Sequence, residues 1–168
     1  MKPLRQLYPD PNANDTARNT AHVEYVPSHL RLTSLTKSSI IAVHGLNPGS
    51  GNDIDHAWDT WRKPSGPQGR LWLRDDLPDS ISESRIFLYE YRSIDVYGGN
   101  AVAFIEAANE LLIAIRAERV GVEDRWLLLL GHGLGRLLIK QAMVNGVYSH
   151  QTCDQGPCIL CSTTSQRE

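Results

Sequence analysis

The sequence predicts an α/β fold in which a parallel sheet is covered by helices on both faces. Apolar segments of strand length alternate with segments of helical periodicity, and the strands are apolar throughout instead of at every second residue. A glycine-rich turn, Gly131-His132-Gly133-Leu134-Gly135, also joins an apolar strand directly to a helix. Units of strand, turn and helix are typical of parallel sheets with two covered faces.

The first third of the chain predicts an arm, a strand and a loop. Residues 1–28 are polar and interrupted by prolines, which predicts a flexible N-terminal arm before a short strand near Leu30. The branched apolar run at residues 39–43 predicts a buried strand. Glycine and asparagine at residues 47–52 favour an exposed loop after it.

The middle of the chain predicts a helix, a strand and a longer helix. Residues 71–77 fit a short amphipathic helix ended by Pro78, and residues 85–91 fit a second strand. A helix is then predicted from Ala101 to Arg119, capped by Asn100 and stopped by Gly121. Its apolar residues follow the three-and-four spacing of one helical face: 101, 104, 105, 108, 111, 112 and 115.

The last elements are a strand at residues 126–130 and a helix from Leu134 to Val144. We expect a partial domain at residues 29–147 and a divergent tail at residues 148–168. A sheet ending after this helix would leave the edge of its last strand unpaired, which predicts self-association or poor solubility.

Composition excludes several classes of partner. The chain has 168 residues and a formal net charge of -2, which gives no electrostatic basis for nucleic-acid binding. Its apolar runs are far shorter than the roughly 20 residues of a membrane span. The N-terminus lacks the apolar core of a secretory signal, and the three cysteines suit a reducing compartment. We therefore expect a cytoplasmic or other intracellular protein.

The glycine-rich turn has the form of a nucleophile elbow. In the G-x-S-x-G pattern the central serine stands on a strained turn between strand and helix, where its hydroxyl is exposed. Gly131 and Gly135 match the outer glycines, and His132 matches the first variable position. The catalytic position itself is Gly133, so the nucleophile is missing.

The strand at residues 39–43 ends in His44-Gly45, where a hydrolase of this type places its oxyanion loop. One donor comes from that loop and one from the residue after the nucleophile. The candidate oxyanion donors are therefore the backbone N–H groups of Leu46 and Leu134.

Taken together, these motifs resemble one family: lipase-like serine esterases of the α/β-hydrolase fold. The family includes the serine active site-containing proteins and the hydrolase domains of fungal NACHT and ankyrin-repeat proteins. The resemblance covers residues 39–146 and includes Trp58, Trp61, residues 72–78 and Ile139-Lys140-Gln141-Ala142. In the family the elbow reads Gly-His-Ser-Leu-Gly-Gly, so Gly133 and Arg136 are departures, and Arg136 is expected to crowd the helix start.

The resemblance implies ester or lipid hydrolysis by a triad in the order serine, acid, histidine. His150 precedes Asp154 and both lie close to the elbow, so no acid and base follow in that order. We therefore expect a hydrolase-type sheet truncated after the elbow helix, without catalytic activity. A binding or signalling role, toward a small ester or lipid or a protein partner, is what such a domain could retain.

Three alternatives stay open. An active esterase could use a non-standard nucleophile or a second chain. Gly131 to Gly135 could begin a nucleotide-binding loop, although Arg136 stands where the third glycine of G-x-G-x-x-G belongs. The tail could hold zinc through His150, Cys153, Cys158 and Cys161, or residues 158–161 could add a strand to the sheet. We expect no cofactor and no metal, and interpret Trp58, Trp61 and Trp72 as packing residues.

Overall fold

The computed structural model describes residues 4–12, 37–47, 53–64, 68–81, 83–99, 101–148 and 158–163. The elements, in chain order, are β1 (Leu4–Tyr8), β2 (Ser38–Val43), α1 (Asp53–Asp59), β3 (Arg62–Lys63), β4 (Arg70–Leu71), α2 (Trp72–Asp75), α3 (Leu77–Ser80), β5 (Arg85–Tyr89), α4 (Ser93–Gly98), α5 (Ala101–Arg119), β6 (Trp126–His132), α6 (Gly135–Tyr148) and β7 (Cys158–Thr163). The predicted strand near Leu30, the loop beyond Asn47 and the Asn100 cap lie outside the described residues.

Five strands form one mixed sheet in the order β1-β5-β2-β6-β7. β2 pairs in parallel with both β5 and β6, and β7 pairs in parallel with β6. β1 is antiparallel to β5, so the sheet is not wholly parallel as the sequence predicts. The α/β class is confirmed.

The N-terminal segment differs from the predicted flexible arm. Residues 4–8 form β1 at the edge of the sheet, and the side chains of Leu4 and Leu7 are almost fully buried. These two leucines give a polar segment enough apolar surface to hold a strand against β5. Residues 13–36, the rest of the arm included, lie outside the described part of the chain.

The sheet also continues one strand beyond the helix after which the sequence predicts it to end. β7 follows α6 and pairs with β6 from Leu127, opposite Cys158, to His132, opposite Thr163. The apolar run at residues 158–161 therefore adds a strand, and it satisfies the backbone groups on the outer edge of β6. Self-association through that edge is no longer expected.

Helix predictions held best where the apolar pattern was long. α5 spans the predicted residues, Ala101–Arg119, and Gly121 follows it at φ 76°. Pro78 does not end the predicted helix at residues 71–77; it lies in the first turn of α3, where its missing N–H is not needed. α6 starts one residue later than predicted and runs on to Tyr148.

Two apolar clusters cover the faces of the sheet. One contains Ile41 and Val43 of β2 with the buried faces of α4, α5 and α6. The other contains Ile40 and Ala42 of the same strand with α1, α2 and β4. The crossover from β2 to β5 uses the second face, while those from β5 to β6 and from β6 to β7 use the first. Crossovers that run in opposite directions on opposite faces have the same handedness, as connections between parallel strands require.

Candidate functional site

The site lies where successive crossovers change direction along the sheet. From β2 the chain crosses to β5 on one side, whereas from β6 it crosses to β7 on the other. β2 and β6 are neighbours, and Val43 lies opposite Gly131 at their carboxyl ends. Ligands in open α/β sheets bind in the crevice outside the carboxyl ends of strands at such a switch point. The predicted elbow and the predicted oxyanion loop both start here.

The outer glycines of the elbow are required by close backbone packing. A Cβ added to Gly135 would overlap the carbonyl oxygens of Val43 and His44 at the end of β2. A Cβ added to Gly131 would lie 2.9 Å from the backbone nitrogen of Arg136. Neither position has room for a side chain, because the first turn of α6 packs directly on the ends of β2 and β6.

The central position of the elbow is different. Gly133 has φ of +53°, in the left-handed region that other residues adopt at a cost. Among the described residues other than its two chain neighbours, only Gly45 has an atom within 4 Å of an added Cβ, its Cα at 3.9 Å. The backbone therefore has the left-handed conformation of an elbow turn, which glycine adopts without strain, and it leaves space for one side chain. The chain supplies none, so the elbow presents no nucleophilic atom.

The predicted oxyanion loop lies against this turn. A Cβ added to Gly45 would be 2.9 Å from the carbonyl oxygen of His132 and 3.2 Å from the backbone nitrogen of Leu134. Both proposed donors, the N–H groups of Leu46 and Leu134, belong to exposed residues, and neither has a hydrogen-bond acceptor among the described residues. Two such N–H groups near the switch point can donate hydrogen bonds to a ligand oxygen.

Residues that follow β5 hold the predicted oxyanion loop, and the sequence alone did not single them out. The Tyr91 hydroxyl donates to the carbonyl oxygen of His44 at 2.7 Å, and its ring stacks on the His44 ring at 4.3 Å between centroids. The Ser93 hydroxyl accepts the buried N–H of Asn47 at 2.8 Å. Tyr97 lies within hydrogen-bond distance of Tyr91. The parallel pairing of β2 with β5 brings their carboxyl ends together. A search of the sequence for polar residues at the end of each predicted strand or directly after it could have identified Tyr91 and Ser93.

A group of histidines surrounds the base of the site. The ring of His44 is fully buried and contacts the ring of His56 edge to face at 5.4 Å. The ring of His132 is half-buried and contacts Trp61 in the same way at 6.2 Å. Burial lowers the pKa of the His132 imidazole, and the nearby His56 and Arg136 lower it further. Its neutral form is therefore favoured in the folded protein.

Arg136 does not disrupt the start of α6, contrary to the expectation that it crowds it. The helix begins at Gly135, and the Arg136 side chain folds back over the elbow. Its Nε donates to the carbonyl oxygen of Gly133 at 3.0 Å.

The other predicted ligands fall outside the part of the chain that the structure describes. His150, Asp154 and Cys153 lie outside the described residues, as do the side chains of Cys158 and Cys161. No group of histidine, cysteine and acidic residues within the described ranges could hold a metal ion. Asp75 and Asp76 form ion pairs with Arg74 and Arg70. Of the tryptophans, Trp61 is buried in the second apolar cluster, while Trp58 and Trp72 pack against it, as a structural role requires.

No described helix is long and apolar enough to span a membrane. The chain matches no protein-family model, and no curated protein resembles it closely enough to count as a relative.

Proposed function

We propose that this chain is a hydrolase-like domain without hydrolytic activity, whose elbow binds the carbonyl or carboxylate oxygen of a small apolar ligand. The observation that carries the proposal is the conformation of Gly133. Its backbone is left-handed and has room for a side chain, yet it carries no reactive atom. Hydrolysis by nucleophilic attack needs such an atom, whereas binding an oxygen at neighbouring N–H groups does not.

The arrangement of the strands supports the hydrolase-like part of this proposal. The elbow follows β6, a central parallel strand. The neighbouring strand in the sheet, β2, ends in the His44-Gly45 turn. The glycine pattern is consistent with the G-x-S-x-G architecture at both outer positions, for the packing reasons given above. The sequence resemblance to lipase-like serine esterases agrees with this placement.

Exposed apolar side chains beside the donors support an apolar ligand. Leu46 and Leu134 are each 38% exposed, and Leu137, in the first turn of α6, is 48% exposed. Large aliphatic side chains rimming two polar donors match a ligand with one oxygen-bearing end and an apolar body. Fatty carboxylates and their esters are the simplest molecules of this description.

Octanoate is a suitable probe, and two asparagine variants test its site. Asparagine tolerates left-handed backbone angles, so Gly133→Asn fills the space above the elbow with little strain. Gly121→Asn places the same residue at the other glycine of positive φ, where an added Cβ has open space. We expect the native chain and Gly121→Asn to bind octanoate in a calorimetric titration, and Gly133→Asn to lose binding.

Each alternative function predicts a different experimental result. No octanoate binding by the native chain would contradict the proposal. Turnover of a nitrophenyl ester that a serine-directed phosphonate abolishes would support the active esterase. Heat on titration with NAD or ATP would instead support nucleotide binding at Gly131 to Gly135.

A further inference from the structure

Arg136 makes a specific contact with the backbone of the elbow. Its Nε donates to the Gly133 carbonyl oxygen at 3.0 Å, and its Cγ lies 2.9 Å from the position of a Gly131 Cβ. The side-chain stem thus packs over the glycine that begins the turn, and the guanidinium reaches back to the glycine at its centre. A hydrogen bond from a charged donor is stronger than one between neutral groups.

This contact determines which way the next N–H group points. Among the described residues, cis peptide bonds occur only at Tyr8-Pro9 and Lys63-Pro64, so the peptide between Gly133 and Leu134 is trans. In a trans peptide the C=O and N–H point in opposite directions. Because Arg136 holds the Gly133 carbonyl, the Leu134 N–H is turned away from Arg136, and it has no acceptor in the part of the chain that the structure describes.

The elbow has a particular need for such a contact. Glycine adopts positive and negative φ with nearly equal ease, so Gly133 alone restrains the peptide that follows it less than a residue with a Cβ would. Arginine is also poorly placed in the first turn of a helix, where the dipole disfavours a cation. The hydrogen bond to Gly133 offsets this and explains the backward bend of the side chain.

We infer that Arg136 is a positioning residue: it holds the peptide between Gly133 and Leu134 so that the Leu134 N–H stays available to a ligand oxygen. The orientation of the peptide follows from the contact itself, and the consequence for a ligand rests on the proposed function. Gly133 and Arg136, the two departures from the esterase pattern, thereby act on the same peptide group.

Two substitutions at position 136 separate the hydrogen bond from the charge. Glutamine carries an N–H donor at the same number of bonds from the backbone as the arginine Nε, so Arg136→Gln can still donate to Gly133. Arg136→Met keeps the stem and removes the donor. Lys140→Met removes an exposed cation from the same helix and serves as the control.

Amide NMR spectra of the full chain provide the direct readout. We expect Arg136→Met to shift and broaden the Gly133 and Leu134 amide signals by conformational exchange, while Arg136→Gln and Lys140→Met keep them sharp. Unchanged elbow signals in Arg136→Met would overturn the inference, as would equal broadening in Arg136→Gln. If Arg136→Met does not fold, Arg136→Lys replaces it, because lysine keeps the charge but has no donor at the Nε position.

Octanoate titration then tests the consequence for binding. We expect about tenfold weaker binding by Arg136→Met, equivalent to about 1.4 kcal/mol, with most of the affinity restored by Arg136→Gln. Native affinity in a variant whose elbow signals have broadened would overturn the link to ligand binding. If the native chain does not bind octanoate, the proposed function fails, and the NMR spectra still decide whether Arg136 holds the peptide.

Discussion

At the scale of single residues, the elbow depends on positions that have no side chain. Gly135 touches two carbonyl oxygens at the end of β2, and Gly131 lies under the backbone of Arg136. The sequence pattern predicted that these glycines form one turn. It did not reveal that the atoms excluding a side chain at Gly135 belong to Val43 and His44, about 90 positions earlier in the chain.

Gly135→Ala should destabilise the fold by about 1–3 kcal/mol, because the added methyl forces the carbonyl oxygens of Val43 and His44 apart. Gly98→Ala is the matched control, since the nearest described side chain that its Cβ would meet is Ile94, in ordinary contact at 3.9 Å. Urea denaturation should show a lower unfolding free energy for the first variant and an unchanged or higher one for the second. Equal stability of Gly135→Ala and the native chain would contradict the packing described here.

The pKa of His132 gives a pH dependence whose sign can be worked out. The unfolded imidazole takes up its proton near its ordinary pKa of 6.5, whereas the folded state, facing Trp61, His56 and Arg136, does so only at lower pH. The unfolded state therefore binds more protons in this interval, so stability rises with increasing pH and is lost as the pH falls. We expect full stability above about pH 6.5 and a loss below it as the pH approaches the folded pKa.

Unfolding free energies measured between pH 7.5 and pH 5 check this, with His132→Asn as the comparison. The variant should show a shallower decline than the native chain. An identical decline in both would assign the pH dependence to other groups.

At the scale of elements, the spacing of apolar residues alone predicted α5, but it did not predict every residue on the buried face of this helix. Ala108, Leu111, Leu112 and Ile115 are buried as the periodicity requires, whereas Ile105 is exposed. The sequence also missed the role of Tyr91 and Ser93, because both act on a loop that only the parallel pairing of β2 and β5 brings near. Local patterns predict an element, while register decides what its ends contact.

Two neighbouring substitutions in α5 test its orientation. Leu111 is fully buried against the sheet, and Ile113, two residues on, is 63% exposed. Leu111→Ala should lower the unfolding free energy by about 2–5 kcal/mol, and Ile113→Ala should change it by less than about 0.5 kcal/mol. Thermal or urea denaturation measures both, and similar losses would mean that the helix presents a different face.

At the scale of the whole molecule, β7 changes what the sheet exposes. A chain shortened to residue 157 would lose the strand that covers β6, leaving the N–H and C=O groups of an apolar strand unpaired. We expect this variant to form oligomers or aggregates in light scattering at concentrations where the full chain stays dispersed. A monodisperse shortened chain of native stability would show that β7 contributes little.

The three elbow atoms nearest to the position of a Gly45 Cβ all belong to the backbone. The outline of the crevice is therefore independent of the residue that stands at its centre. A protein with a reactive side chain at this position could lose it by a single substitution and still keep the shape of the crevice. The reverse substitution could be introduced by design. Position 133 offers a preformed place in which a new functional group can be installed and its reactivity compared directly with that of the bare scaffold.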